Sequence, residues 1–374
     1  MIMKKYASRT IKILSFALAA FLIMTVTQVR CDHNKIRLDG FYMEEKNSLD
    51  VVLLGASEVY TAFSSALAYD EFGFTSYPYA TEANYIDLFE SQIKEIQSTQ
   101  NPKIILIEMN GALYDNKMKD KDVKLRRMTD SMPFSQNKID TINQFGSEDE
   151  KLSYYLPWVM YHGSKSAIGR FPDNIALHLR GYSALKGVSG KSKSVYKGKV
   201  IDVEGDTSKK DLPAETEEKL RSFLQYCKDN KLDNVVFAKF PHRITKKKFY
   251  ERFQMGNTMG EIIKEYGFDY LDFENNSKEV GLDYKEDFYN DDHMNIYGQQ
   301  KFTKYLGKML VDKYGIEKSE LSENNKARWD SSSEYIKLYY EYFEKCHKEG
   351  KDTQLYETCG LMWELDNMKK QKNA

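Results

Sequence analysis

The sequence predicts an α/β protein: a parallel sheet with helices on both faces, behind one apolar N-terminal segment. Three observations predict it. Short runs of apolar residues alternate with stretches of helical apolar spacing, the order expected of a parallel sheet. The chain has 374 residues, 41% hydrophobic and 13% aromatic, enough for one large domain with insertions or roughly two domains. Finally, Lys4, Lys5, Arg9 and Lys12 precede an uncharged run over 13–29, which Arg30 closes. With 55 basic and 56 acidic side chains the net charge is −1, which argues against a nucleic-acid protein held by a general basic field. Cys31, Cys227, Cys346 and Cys359 contain no CxxC pair, so a zinc ribbon is not expected.

The N-terminal run would span about 25 Å as a helix, the short end of the transmembrane range. An uncleaved anchor is the leading expectation for residues 1–31. A cleaved signal peptide and a lipidated Cys31 are the alternatives. All three place the rest of the chain outside the cytoplasm, because positive charge stays inside. The expectation is a single-pass protein of the cell membrane with an extracytoplasmic domain over 32–329.

Within that domain, residues 49–54 read as a buried strand, followed at once by Gly55-Ala56-Ser57. Residues 59–72 carry helical spacing up to Gly73, 76–79 a short strand, 84–96 an amphipathic helix, and 103–109 a third strand. Residues of about 115–212 break the rhythm. They include a charge-dense stretch at 118–128 and a capping box, Ser147-x-x-Glu150, ahead of an aromatic helix over 152–162. A Lys/Gly/Ser segment at 187–199 reads as a mobile loop. The block is expected to be a helical insertion at the functional edge of the sheet. The alternation then resumes: helix 214–231, strand 234–240, helix 257–266, strand 270–273 and helix 296–314. Beyond Asp330, a second capping box (Ser331-x-x-Glu334) opens a stripe of Tyr335, Leu338, Tyr339, Tyr342, Phe343 and Cys346. A partner helix over 355–368 makes 330–374 a C-terminal hairpin. Across it, Cys346 and Cys359 either pair or stay as buried thiols.

Two segments carry candidate chemistry. Ser57 stands at the carboxyl end of the first strand, where open parallel sheets bind ligands, and the N–H groups after it can hold an anion. The segment Asp287-Phe288-Tyr289-Asn290-Asp291-Asp292-His293 precedes the last helix. A histidine there can reach a serine after the first strand and activate its hydroxyl. Neighbouring residues rarely converge on one ion, so Asp291, Asp292 and His293 are not expected to hold a metal. No P-loop or dinucleotide fingerprint is present, and no cofactor is implied. His33, His162, His178, His242 and His347 are expected to be surface or structural. Lys246, Lys247 and Lys248 read as a solvated face near a strand end, within reach of an anionic polymer.

Together, "VVLLGASEVY", "PKIILIEMNGALYD", "NVVFAKFP" and "DFYNDDHMNIYGQQKFTKYLG" resemble the SGNH (GDSL-like) hydrolase and acyltransferase superfamily over about 49–115 and 215–314. The likeness is to its membrane-anchored, extracytoplasmic branch, DltD-like or alginate-acetylation-like, which modifies bacterial cell-envelope polymers. The resemblance implies a flavodoxin-like three-layer α/β/α fold, with Ser57 as nucleophile and His293 as base. It implies an oxyanion site from the Ser57 N–H, the Ala80-Thr81 turn where the family has a glycine, and Asn110 in place of the asparagine of the family's Gly-x-Asn-Asp. The family's Asp-x-x-His reads Asn290-x-x-His293 here, so Asn290 would orient the imidazole, with Asp292 or Asp291 as substitutes for the missing acid. The implied partners are a cell-envelope polysaccharide or teichoic-acid-like polymer and a membrane-bound O-acyltransferase. The rival expectation is a non-catalytic scaffold for such an acyltransferase or a polysaccharide export complex.

Overall fold

A strand buried on both faces needs apolar side chains at every position, and β1 (Val51–Gly55) has them. Val51 and Leu53 enter one core while Val52 and Leu54 enter the other. Beside it stand β2 (Ser76–Ala80), β3 (Ile104–Glu108), β4 (Val235–Lys239) and β5 (Tyr270–Asp272). Neighbours pair in parallel in the order β2-β1-β3-β4-β5. The winding direction reverses between β1 and β3, and the crevice above that reversal is where such sheets bind ligands. The computed structural model describes residues 2–27, 32–113, 121–191, 195–351 and 354–373.

One face is covered by the helices Phe89–Thr99, Ala214–Asp229 and Lys247–Glu265, whose Ile93, Leu224 and Ile263 pack with Ile105, Ile107 and Phe237. The opposite face carries Ser57–Ala62, Ser65–Phe72 and Ile296–Tyr314, whose Val59, Ala68 and Phe302 meet Leu106 and Ala238. The architecture is three-layer α/β/α. Ahead of it the first helix runs Ile2–Thr27, and its stretch Tyr6–Met24 is long and apolar enough to cross a membrane, with none of it buried in the protein. Arg30 and Cys31 lie outside the described residues.

Several local expectations are corrected. The helix expected over 59–72 is two, because the chain turns extended at Phe63 and Ser64 caps the second by accepting from the Leu67 N–H at 3.3 Å. Ser147 caps nothing with its side chain, which donates to Asp122 at 2.6 Å; the aromatic segment breaks into Lys151–Tyr155 and Pro157–Tyr161 at Pro157. Ser331 likewise lies inside a helix, Glu323–Lys348, whose cap is Ser322. That helix therefore begins before the expected boundary, and its Trp329 is part of the main core. Tyr339 and Phe343 of the stripe are buried with Ala66, Leu67 and Leu185, and Cys346 is buried too, which makes the hairpin a cap on the domain. Cys346 and Cys359 are free thiols.

The segment expected to be a mobile loop is buried over 187–191; residues 192–194, like 114–120, are outside the described set. Burial follows from Arg37, whose guanidinium bonds the Gly187 carbonyl at 2.8 Å and the Ser189 hydroxyl at 3.1 Å. The same group lies over the Tyr60 ring, 3.3 Å from its centroid.

The turn after β1 leaves no room for a side chain at Gly55: a Cβ there would stand 2.7 Å from Val59 Cγ2 and 2.9 Å from Glu108 Cβ. Gly55→Ala should accordingly lower stability by about 1–3 kcal/mol, read as a reduced urea midpoint. An unchanged midpoint would show that the turn has slack.

Candidate active site

Ser57 is the first residue of the helix that leaves β1, so its side chain rises from the carboxyl edge of the sheet. His293 comes from the other side of the crevice, on a loop tied shut at its base. Phe288 bridges Met294, and the Tyr289 N–H donates to the His293 carbonyl at 2.9 Å. Asn295 then caps the last helix, accepting from the Tyr297 and Gly298 N–H groups at 2.9 and 3.2 Å. Gly298 has to be glycine because a Cβ there would collide with the Asp287 carbonyl.

These two elements bring His293 Nε2 to 2.8 Å from Ser57 Oγ. Asn290 Oδ1 lies 3.0 Å from the other ring nitrogen, Nδ1. The same oxygen accepts from the backbone N–H groups of Asp292 at 3.0 Å and His293 at 2.9 Å. Two N–H donors fix that atom as the amide oxygen, so Nδ1 must carry the ring hydrogen and Nε2 is left bare to accept the serine hydroxyl. Burial lowers the pKa of His293 below that of a free imidazole, against an opposing pull from Glu58. The ring is thus neutral at neutral pH, the form a general base needs.

The other expected orienters are engaged elsewhere. Asp291 accepts from Arg243 Nε and from the Thr245 hydroxyl, both at 3.0 Å. Asp292 is ion-paired with Arg252. The expected oxyanion residues divide. The Ser57 N–H lies at the start of its helix, among the first-turn donors that have no intrahelical acceptor. Ala80 ends β2 opposite Gly55, and its carbonyl accepts from Arg37 at 3.4 Å. Thr81 follows at the same edge and is buried, but Glu82 and Ala83 are the residues of that turn that face the cleft. Asn110 is fully buried below the serine and donates its amide to Glu58 Oε1 at 2.6 Å.

Glu58 and the groups behind it were not anticipated. Its Oε2 is 3.3 Å from Ser57 Oγ, and its Oε1 is 3.7 Å from His242 Nε2, an ion-pair distance rather than a hydrogen bond. On its far side His242 Nδ1 meets Glu274 at 3.0 Å, and Glu274 is paired with Lys239. Burial opposes a charge on His242, but Glu274 and Glu58 outweigh it and raise its pKa. Burial likewise opposes ionisation of Glu274, yet Lys239 and His242 hold it down at about 2. Glu108, at the end of β3, is pushed up to about 8 by burial and then by Glu58. The result is a buried row of alternating charge under the serine, Lys239, Glu274, His242 and Glu58. The legible signal was position: all but Lys239 follow the carboxyl ends of strands, and Lys239 is itself the last residue of β4.

Above Ser57 opens a cleft of about 500 Å³. His33, Tyr60 and Tyr356 line it with aromatic faces, and Arg170 and Lys191 bring positive charge from the 121–191 segment. His33, expected to be structural or on the surface, is thus a cleft residue. A smaller hollow of about 300 Å³ between the helices Phe89–Thr99 and Ala214–Asp229 contains no histidine or cysteine.

No protein-family model matches the sequence, and no curated protein matches it. Among solved structures the chain is similar to a candidate GDSL-like lipase from Parabacteroides merdae, at 14% identity over 73% of this chain and 98% of that one, with a TM-score of 0.33.

Two outcomes follow from the geometry. The rate at which Ser57 reacts with a serine-directed phosphonate should fall in acid with a midpoint below pH 6.5, the free-imidazole value. A limb above that value would contradict a buried neutral His293. Separately, His242→Ala leaves Glu58 and Glu274 without their shared cation and should cost about 3–5 kcal/mol, measured by urea denaturation. No loss would mean that the row is not charged as described.

Proposed function

We propose that this chain is an SGNH-type serine esterase or O-acyltransferase of the DltD-like or alginate-acetylation-like kind. It would be anchored by its first helix and act on a cell-envelope glycopolymer outside the cytoplasm. The observation that carries the proposal is the continuous line Ser57 Oγ, His293 Nε2, His293 Nδ1, Asn290 Oδ1, with bonds of 2.8 and 3.0 Å, at the mouth of a cleft. In the forward half-reaction Ser57 Oγ attacks an acyl carbonyl while Nε2 takes the hydroxyl proton, and the Ser57 N–H holds the oxyanion. Nε2 then protonates the departing alcohol. In the second half an acceptor hydroxyl gives its proton to Nε2 and attacks the acyl-serine, which restores the free enzyme. Water as acceptor makes the chain an esterase, and a sugar hydroxyl makes it a transferase.

Aromatic rings and the cations Arg170 and Lys191 in the cleft suit a glycan carrying anionic groups, such as a teichoic-acid-like polymer. A membrane-bound O-acyltransferase would deliver the acyl group to the anchored domain. Asn290 orients the ring but adds no charge, which favours slow hydrolysis and suits an enzyme that waits for its acceptor.

A second reading, a non-catalytic scaffold for such an acyltransferase or for an export complex, has one observation in its favour. The Asn110 amide is bonded to Glu58 instead of facing the cleft. Burial of the C-terminal aromatic stripe in the domain weighs against it, since that stripe is unavailable for docking.

Labelling with a fluorophosphonate separates the two. The enzyme should be labelled, Ser57→Ala should take no label, and His293→Ala should label about 10²- to 10⁴-fold more slowly. A folded protein that takes no label, or a label that survives Ser57→Ala, would defeat the proposal.

A further inference from the structure

Asn290 leaves a chemical deficit. When Nε2 takes the serine proton a cation forms in a buried ring, and a carboxamide can orient that ring without balancing its charge. The charged groups that act most strongly on the ring are Glu58, Lys191, Asp292 and His242. Asp292 is held by Arg252, and Lys191 lies over the Tyr289 ring, 4.3 Å from its centroid. His242 is already matched by Glu274.

Glu58 remains. Its carboxylate is 2% exposed, and Oε1 is fixed from below by the Asn110 amide at 2.6 Å. Oε2 stands 3.3 Å from the serine oxygen that His293 Nε2 meets at 2.8 Å. Two groups that touch one atom at those distances are within about 6 Å of each other, the range over which an opposite charge favours an ionised partner. We propose that Glu58 is the charge partner of the Ser57–His293 pair, a positioning carboxylate that acts from the serine side in place of an acid at position 290. The proposal rests on the esterase or acyltransferase reading above.

The arrangement explains why the row beneath the serine alternates in sign. Lys239, Glu274, His242 and Glu58 each face an opposite charge, and an imidazolium at His293 continues the sequence as the next cation. It also gives Asn110 a purpose: its amide sets the orientation of the carboxylate. Among the charges acting on His293, Glu58 is the strongest, and it works against the burial that makes the ring less basic. Glu108 also interacts with Glu58, and burial together with that neighbour pushes its pKa up to about 8, which disfavours a second anion beside Glu58.

The test follows fluorophosphonate labelling rate against pH for the full-length protein in detergent, with Glu58→Gln, Asn290→Asp and the double variant. Glu58→Gln should move the acidic limb about one pH unit lower and slow the plateau about 10- to 100-fold. Adding Asn290→Asp to it should bring the limb back up. A plateau that falls while the limb stays in place would show Glu58 to be structural only, and would overturn the proposal. Asn290→Asp alone gives an answer independent of how well Glu58→Gln folds. If Glu58 already balances the ring, that change raises the plateau by less than tenfold. A rise of about 10² or more would show that no charge partner was present. Absence of any Ser57-dependent label in wild-type protein would defeat the parent reading, whereas normal wild-type labelling with an unmoved limb defeats only the role of Glu58.

Discussion

The site depends on one amide oxygen. Asn290 Oδ1 is pinned by two backbone N–H groups of its own loop, and a third donor, His293 Nδ1–H, completes its shell. That arrangement decides which imidazole nitrogen is bare, and therefore which can accept a proton from Ser57. The loop holds its shape because its ends are bridged and because Gly298 lets the Asp287 carbonyl pass close to the last helix. The ring tautomer is secured here by an amide oxygen that the backbone holds in place. Orientation and charge compensation are two separate jobs, and Asn290 does only the first.

The sheet explains how residues so distant in sequence meet. In a parallel sheet every strand ends at the same edge, so the segments after β1, β3, β4 and β5 bring Glu58, Asn110, His242 and Glu274 into one layer. Burying several charges at that edge is tolerable only when each faces an opposite one. The helices between strands serve as cover for the two cores. The 121–191 segment adds the cleft wall instead, with Arg170 and Lys191 facing Ser57 across the opening.

Much of this was legible in the sequence, for identifiable reasons. The strands β1, β3 and β4 are buried along their whole length and leave continuous apolar runs that place them, whereas β2 and β5 were placed as short segments in the alternation with helices. Ile296–Tyr314 was placed by its spacing and by Gly315, which takes the left-handed conformation that ends the helix. Ser57 and His293 could be singled out because their places at a strand end and ahead of a helix are a sequence property, and Asn290 because it stands three residues before His293; the structure brings the three side chains together. Capping was misread twice, at Ser147 and Ser331, because a Ser-x-x-Glu spacing also occurs where tertiary bonds or helix continuity prevail. The segment at 187–199 looked mobile from its composition, and its first part, 187–191, is buried because Arg37, 150 residues from Gly187, bonds to it. Glu58 and His242 were passed over for a related reason. Their significance lies in what they face across the crevice, and a single sequence does not show such pairings.

Acylation of Ser57 is the event that an activated serine must undergo. Full-length protein incubated with an activated acetyl ester such as p-nitrophenyl acetate, quenched in acid and mapped by peptide mass spectrometry, should carry one acetyl group on the peptide containing Ser57. That adduct should be missing from the His293→Ala protein treated in the same way. An acetyl group confined to lysines, with the Ser57 peptide unmodified in folded protein, would contradict the claim that His293 activates Ser57.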